Sequence, residues 1–284
     1  VFWGKHEFTA MLAIDDPSYS GRRLYWFNEP ALRSETLRHL ALKSRQTLGD
    51  RFTPEFHVDL PIARQFDGLC ANDGWWLDIS AQKADLEEQY DQFIRFVTSG
   101  KIEDASGIDL SGLESAYTEF MALLTTWLKN RPARYDLNAL KEALQDIDQP
   151  FRDLRDLIEG KTFKEESGRR DFRHYSEIFY SPLREIESFL QSRKAQAYEV
   201  GAALLHGEAG IGKSHLLCDL ALHRAEEALP TIFLLGAQYG GGNPLDFVRQ
   251  RLDLHQFSNS QVLGAIDAAG EAGNCRALIV IDAI

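Results

Sequence analysis

An α/β fold is predicted for the last third of the chain, and a mainly α-helical region ahead of it, on three observations. The first is Gly207-Glu208-Ala209-Gly210-Ile211-Gly212-Lys213-Ser214, which fits G-x-x-x-x-G-K-[ST], the pattern of a phosphate-binding loop. The second is the apolar run Ala277-Leu-Ile-Val-Ile281 closing on Asp282, the form of a Walker B strand at a fitting distance downstream. The third is a series of apolar stripes at helical spacing between residues 86 and 190. Together they specify an α/β P-loop NTPase with an ATPase-type parallel sheet, incomplete, preceded by a mainly α-helical region.

Residues 1–72 read as an entry segment. Val1-Phe-Trp-Gly4 closes a strand, a short helix spans His6 to Leu12, and Asp15-Asp-Pro17 to Gly21 is a turn cluster. Leu24-Tyr-Trp-Phe27 forms a second strand, and Pro30 opens a helix that runs to Leu48. Arg51 to Ile62 is a proline-punctuated extended link, with a helix from Pro61 to Leu69. His57 and Asp59 share one face of an extended strand and read as a surface pair rather than a general base.

Residues 73–199 carry four stripes. Leu86, Tyr90, Phe93, Ile94 and Val97 make the first; Leu113, Tyr117, Phe120, Leu124, Trp127 and Leu128 the second. Leu140, Leu144, Ile147, Phe151, Leu154 and Ile158 make the third, with Pro150 as a kink or break. Tyr175, Phe179, Leu183, Ile186 and Leu190 make the fourth, and residues 100–107 and 130–136 are turns. Four such helices form a bundle or two hairpins, a spacer or an assembly surface. Trp75-Trp76 reads as core or interface rather than as a stacking platform.

Residues 200–284 hold the chemistry. Ala202 to Leu205 is predicted as a short buried strand leading into the loop, and a helix follows Lys213 through Leu216, Leu217, Leu220 and Ala221. Gly207, Gly210 and Gly212 can take positive φ and let the backbone close round a phosphate. Successive amides from 208 to 214 then point into one concavity at a helix N-terminus. Lys213 reaches the β- and γ-phosphates, Ser214 holds Mg²⁺, and Asp282, the catalytic candidate, orders the metal's water shell. Cofactor-binding residues are therefore 207–215, metal residues Ser214 and Asp282, and the cofactors ATP and Mg²⁺. Pro230 to Leu235 is a second strand, Asn243 caps a helix from Pro244 to Leu252, and a further helix runs from Ser258 to Ala272. The extra strand between loop and Walker B strand favours ATP over GTP; no [NT]KxD follows the loop, and Gln82-Lys-Ala-Asp85 lies upstream in a helix. His215, Asp219 and His223 fall at i, i+4, i+8 and read as a polar stripe rather than metal ligands. His206 reads as packed.

Composition excludes other classes. With 284 residues and 44% hydrophobic content the chain can build more than one core. No apolar run reaches membrane-span length and no signal peptide opens the sequence. Cys70, Cys218 and Cys275 are odd in number and lack a CxxC spacing, so they read as reduced, buried thiols of a cytoplasmic protein. The net charge is −12: residues 71–200 carry 17 basic against 25 acidic side chains, and 201–284 carry 5 against 9. No segment has the basic surplus of a nucleic-acid footprint, and the cluster around Lys161, Lys164, Arg169, Arg170 and Arg173 is interleaved with Glu165, Glu166 and Asp171. Opening on Val1 and closing on Ile284, the sequence reads as a piece of a longer chain.

The segments Leu205 to Leu216, Leu234-Leu-Gly-Ala-Gln238 and Ala277 to Ile284, with Gly21-Arg-Arg-Leu-Tyr-Trp-Phe27 and Arg51 to Ile62 upstream, resemble the STAND NTPases of bacterial antiviral defence, the AVAST family. The resemblance implies a modular sensor. An N-terminal effector, often a nuclease, precedes an ATP-binding oligomerisation module and a C-terminal repeat sensor. A phage protein, with ATP and Mg²⁺, then assembles a homo-oligomer, a tetramer in the family, and switches the effector on. Residues 1–72 would be the end of the effector and the junction, 73–199 a spacer or assembly region, and 200–284 the first half of the NTPase domain. Ala283 stands where AAA+ ATPases carry a catalytic Glu, so binding is predicted and hydrolysis is left open. A small-molecule P-loop kinase and a nucleotide-binding structural module are the alternatives.

Overall fold

The computed structural model describes residues 24, 32–49, 52, 65–103, 105, 107–132, 135–208 and 210–282. In order, they form α1 (Ser34–Leu48), α2 (Gln65–Cys70), α3 (Asp73–Thr98), α4 (Ser111–Asn130), α5 (Asn138–Glu159), α6 (Gly168–Gln191), α7 (Arg193–Val200), α8 (Lys213–Glu226), β1 (Thr231–Leu235), a 3₁₀ turn (Gly236–Gln238), α9 (Pro244–Arg251), α10 (Asn259–Ala272) and β2 (Leu278–Asp282). The chain divides into two units, 67–202 and, together, 1–66 with 203–284.

The unit 67–202 is helical because its apolar residues recur at 3.6-residue spacing. In α5, Leu140, Leu144, Ile147, Phe151, Leu154 and Ile158 are all buried, one stripe facing one core. Pro150 removes one ladder hydrogen bond, yet α5 runs through it unbroken. Asn72 starts α3 by accepting from the Trp75 N–H at 3.0 Å. The core is aromatic: Phe93 stacks on Phe179 with centroids 5.4 Å apart, and Phe151 meets Phe179 edge-on at 5.1 Å. At the other end Trp75, Trp76, Trp127 and Tyr198 are buried together, and the Tyr198 hydroxyl both accepts from Trp127 Nε1 at 3.1 Å and donates to the Pro132 carbonyl at 2.7 Å. Trp75 and Trp76 are therefore core. Helix α7, which carries Tyr198, has no counterpart in the sequence reading.

In the other unit β1 and β2 pair in parallel, Thr231 opposite Leu278 and Leu235 opposite Asp282. Every residue of β1 is buried. Ile232 and Leu234 enter a cluster with Leu37 of α1, Phe247 and Val248 of α9, and Val262 and Ile266 of α10. The Ser44 hydroxyl of α1 donates to the Phe233 carbonyl at 3.1 Å. Asn243 caps α9 through Leu245 N–H, and Ser258 with Gln261 forms a capping box on α10.

The predicted α/β P-loop NTPase fold is not what the described residues form. They are mostly helical, and their one sheet has two strands. Residues 202–207 have no regular structure, and Leu204 is 91% exposed, so the strand expected at Ala202–Leu205 is absent. A strand exists only where a neighbour takes up its backbone N–H and C=O groups, and that stretch pairs with no described strand. Four apolar residues without a partner take no regular structure. His206, expected to be packed, is exposed. Leu24, expected in a strand, has helical backbone and is buried. The remaining elements expected before Pro30, and His57 and Asp59, lie outside the described residues. No described helix is long and apolar enough to cross a membrane.

Candidate functional site

Helix α8 positions the site by running antiparallel to the strands. At its C-terminal end Arg224, buried at 2% exposure, donates from Nε to Thr231 Oγ1 at 2.9 Å and from Nη2 to the Arg276 carbonyl at 2.8 Å. Both partners precede or open a strand, so this end of α8 is tied to the start of the sheet. The ten residues back to Ser214 rise about 15 Å, and the run from Arg276 to Asp282 covers about 20 Å. The first turn of α8 therefore lies level with the carboxyl end of β2. There the Ser214 hydroxyl donates to Asp282 Oδ1 at 2.9 Å. Asp282 is 4% exposed.

The loop before α8 is shaped by two glycines. Gly210 and Gly212 take φ of +84° and +90°, left-handed conformations that cost a side-chain-bearing residue energy. Gly212 is also the N-cap of α8. Gly207, expected to share that role, does not take positive φ; a Cβ there would first meet Ile211 Cδ1, at 2.4 Å, the tip of an exposed side chain that can swing aside. The Lys213 ammonium curls back over the loop, donating to the carbonyls of Gly207 at 2.7 Å and Glu208 at 2.6 Å. Glu208, Gly210 and Ile211 are exposed, and Ala209 lies outside the described residues. His215 is partly buried, its ring stacked on Phe52 with centroids 4.6 Å apart. His223 is 3.5 Å from Glu227, the residue that caps the end of α8.

The chain matches no protein-family model, no curated protein and no solved structure. Lys213 and Ser214 open α8 with an ammonium and a hydroxyl, and the nearly buried Asp282 carboxylate reaches Ser214 from β2, beside amides that the first turn of a helix leaves without intrahelical acceptors. Helix dipole and lysine favour an anion there. The hydroxyl and carboxylate are hard oxygen donors, the type Mg²⁺ takes, and Mg²⁺ needs only one or two from protein when phosphates and water supply the rest. The residues present therefore fit a magnesium-bound phosphate chain.

Cys218 lies on the buried face of α8, and burial pushes its thiol up to about 12. Cys70 is also buried, whereas Cys275, expected to be, is partly exposed. Two features escaped the sequence reading. Arg224 falls on the apolar stripe of α8, seven residues after Leu217, and a charge on that stripe was the available signal. The Phe52–His215 stack has none, since no spacing rule links residues so far apart.

Proposed function

We propose that residues 207–215 with Asp282 bind the triphosphate of ATP with Mg²⁺, and that the chain is the ATP-responsive part of a signalling switch of the STAND type its sequence resembles. The observation that carries this reading is the 2.9 Å hydrogen bond between Ser214 and Asp282, residues 68 positions apart. A turn that merely connects two elements needs neither a lysine and serine at its helix start nor an acid brought to meet them. In this reading Lys213 exchanges the loop carbonyls it now holds for phosphate oxygens. The backbone amides of the loop orient the phosphates. Mg²⁺ would be held by Ser214 with Asp282 ordering its water, and bound there it supplies neutralisation of phosphate charge. The loop that does this sits on a mostly helical chain.

The wider role follows from the resemblance. In the cytoplasm, a phage protein and MgATP drive oligomerisation, a tetramer by family likeness, and this activates an N-terminal effector, often a nuclease in proteins of this type. The test of the binding site is calorimetry of MgATP with the wild-type chain and Lys213→Ala. Loss of one charge-assisted contact of about 1.5–3 kcal/mol weakens binding about 10- to 150-fold. Equal affinities would remove the reading.

A further inference from the structure

An open surface cleft of about 390 Å³ lies at the C-terminal end of α1, lined by Leu42, Arg45, Gln46, Gly49 and Phe52. Leu42, Arg45 and Gln46 fall at i, i+3 and i+4, one face of the helix. Gly49, at φ +55°, turns the chain, and the Phe52 N–H returns to the Gly49 carbonyl at 3.1 Å. The fold-back places the Phe52 ring against His215, and the Arg45 guanidinium carbon 5.0 Å from the Phe52 centroid. Since His215 follows Ser214, one wall of the cleft touches the start of the phosphate-binding helix.

We propose that this cleft takes the aromatic base of the nucleotide whose phosphates lie on residues 207–214, an inference that rests on the reading in the preceding subsection. Its volume is in the range of small-molecule sites, about 300–1,000 Å³. Its lining is what a nucleobase asks for. Leu42 and Phe52 give apolar surface, and the planar Arg45 guanidinium stacks on π-faces. The Gln46 amide supplies a donor and an acceptor to one base edge. The phosphate loop meets the same triphosphate in every nucleotide, so discrimination between bases has to come from a second surface, and this one is in contact with the loop's helix.

The test is calorimetry of the whole chain with MgATP and with magnesium tripolyphosphate, which carries the phosphates without a base. Wild type binds MgATP more tightly than tripolyphosphate. Gln46→Ala, a change on an exposed side chain, and Phe52→Leu each weaken MgATP about 3- to 30-fold and leave tripolyphosphate unchanged. Equal wild-type affinities for the two ligands overturn the base site, as do variants that bind MgATP like wild type or that lose both ligands in parallel. Wild type that binds neither ligand sinks the phosphate site itself, a separate outcome.

Discussion

Replacing Asp282 by asparagine separates two jobs its carboxylate could do. Asn keeps the shape and an oxygen that still accepts from Ser214, which now stands 2.9 Å away. Folding loses part of a charge-assisted hydrogen bond, about 1 kcal/mol. It regains a similar amount because a carboxylate 4% exposed no longer has to be desolvated. The net change is within about 1 kcal/mol, a melting shift of no more than about 2–4 °C. Magnesium feels the substitution differently. Unit charges about 4 Å apart at an effective dielectric of about 20 interact by about 4 kcal/mol, and a divalent ion doubles that. With the exposed loop and intervening water screening about three quarters of it, about 2 kcal/mol remains, or about 30-fold in affinity. The assay is calorimetric titration of ATP with and without Mg²⁺ on both proteins, beside their thermal melts. Asp282→Asn should melt with wild type and lose most of the magnesium enhancement. An unaltered enhancement would show that Asp282 only holds Ser214 in place, and a fall in melting temperature above about 8 °C would show a structural role instead.

The remaining predictions concern the two units apart from the loop. Phe179, fully buried among Phe93, Phe151 and Tyr90, leaves a cavity when changed to alanine. Phe179→Ala should destabilise 67–202 by about 3–5 kcal/mol in denaturant melts; a loss under about 1 kcal/mol would mean the core re-closes. Tyr90 and Tyr117 stack at 3.6 Å, and burial, ahead of nearby acids, pushes Tyr90 up to about 12 and Tyr117 up as well. The unfolded chain thus loses these protons first, so stability is complete below pH 10 and falls as pH rises from about 10 towards 12. Absorbance at 295 nm should show tyrosines that ionise only with unfolding, and Tyr90→Phe should flatten that slope. Cys218, with its thiol pushed up by burial, should resist alkylation in the native protein while Cys275 reacts; mass mapping that finds Cys218 modified first would contradict the burial of α8.

How far the sequence carried depends on whether a feature is local. The stripe from Leu140 to Ile158 needed only its own spacing to become α5, and it did so through Pro150 because six buried apolar side chains outweigh one lost ladder bond. The cap at Asn243 was readable for the same reason, its contact spanning two residues, as was the start of α10 at Ser258. A strand is not local. The apolar run at Ala202–Leu205 looked as strand-like as Leu278–Ile281, but only the second has a partner, Thr231–Leu235, to bind its backbone. Spacing cannot show that difference, and the expected fold failed at that point. The same limit held at the site. Gly210, Gly212, Lys213 and Ser214 are a contiguous motif, but the meeting of Ser214 with Asp282 is made elsewhere, by Arg224 gripping Thr231 and the Arg276 carbonyl at the far end of α8. Cutting that grip with Arg224→Met would leave every residue of the motif in place and free α8 to shift along the strands. Magnesium-dependent binding should then weaken without any change to the loop, which would locate part of the site's definition in a buried side chain about 15 Å from it.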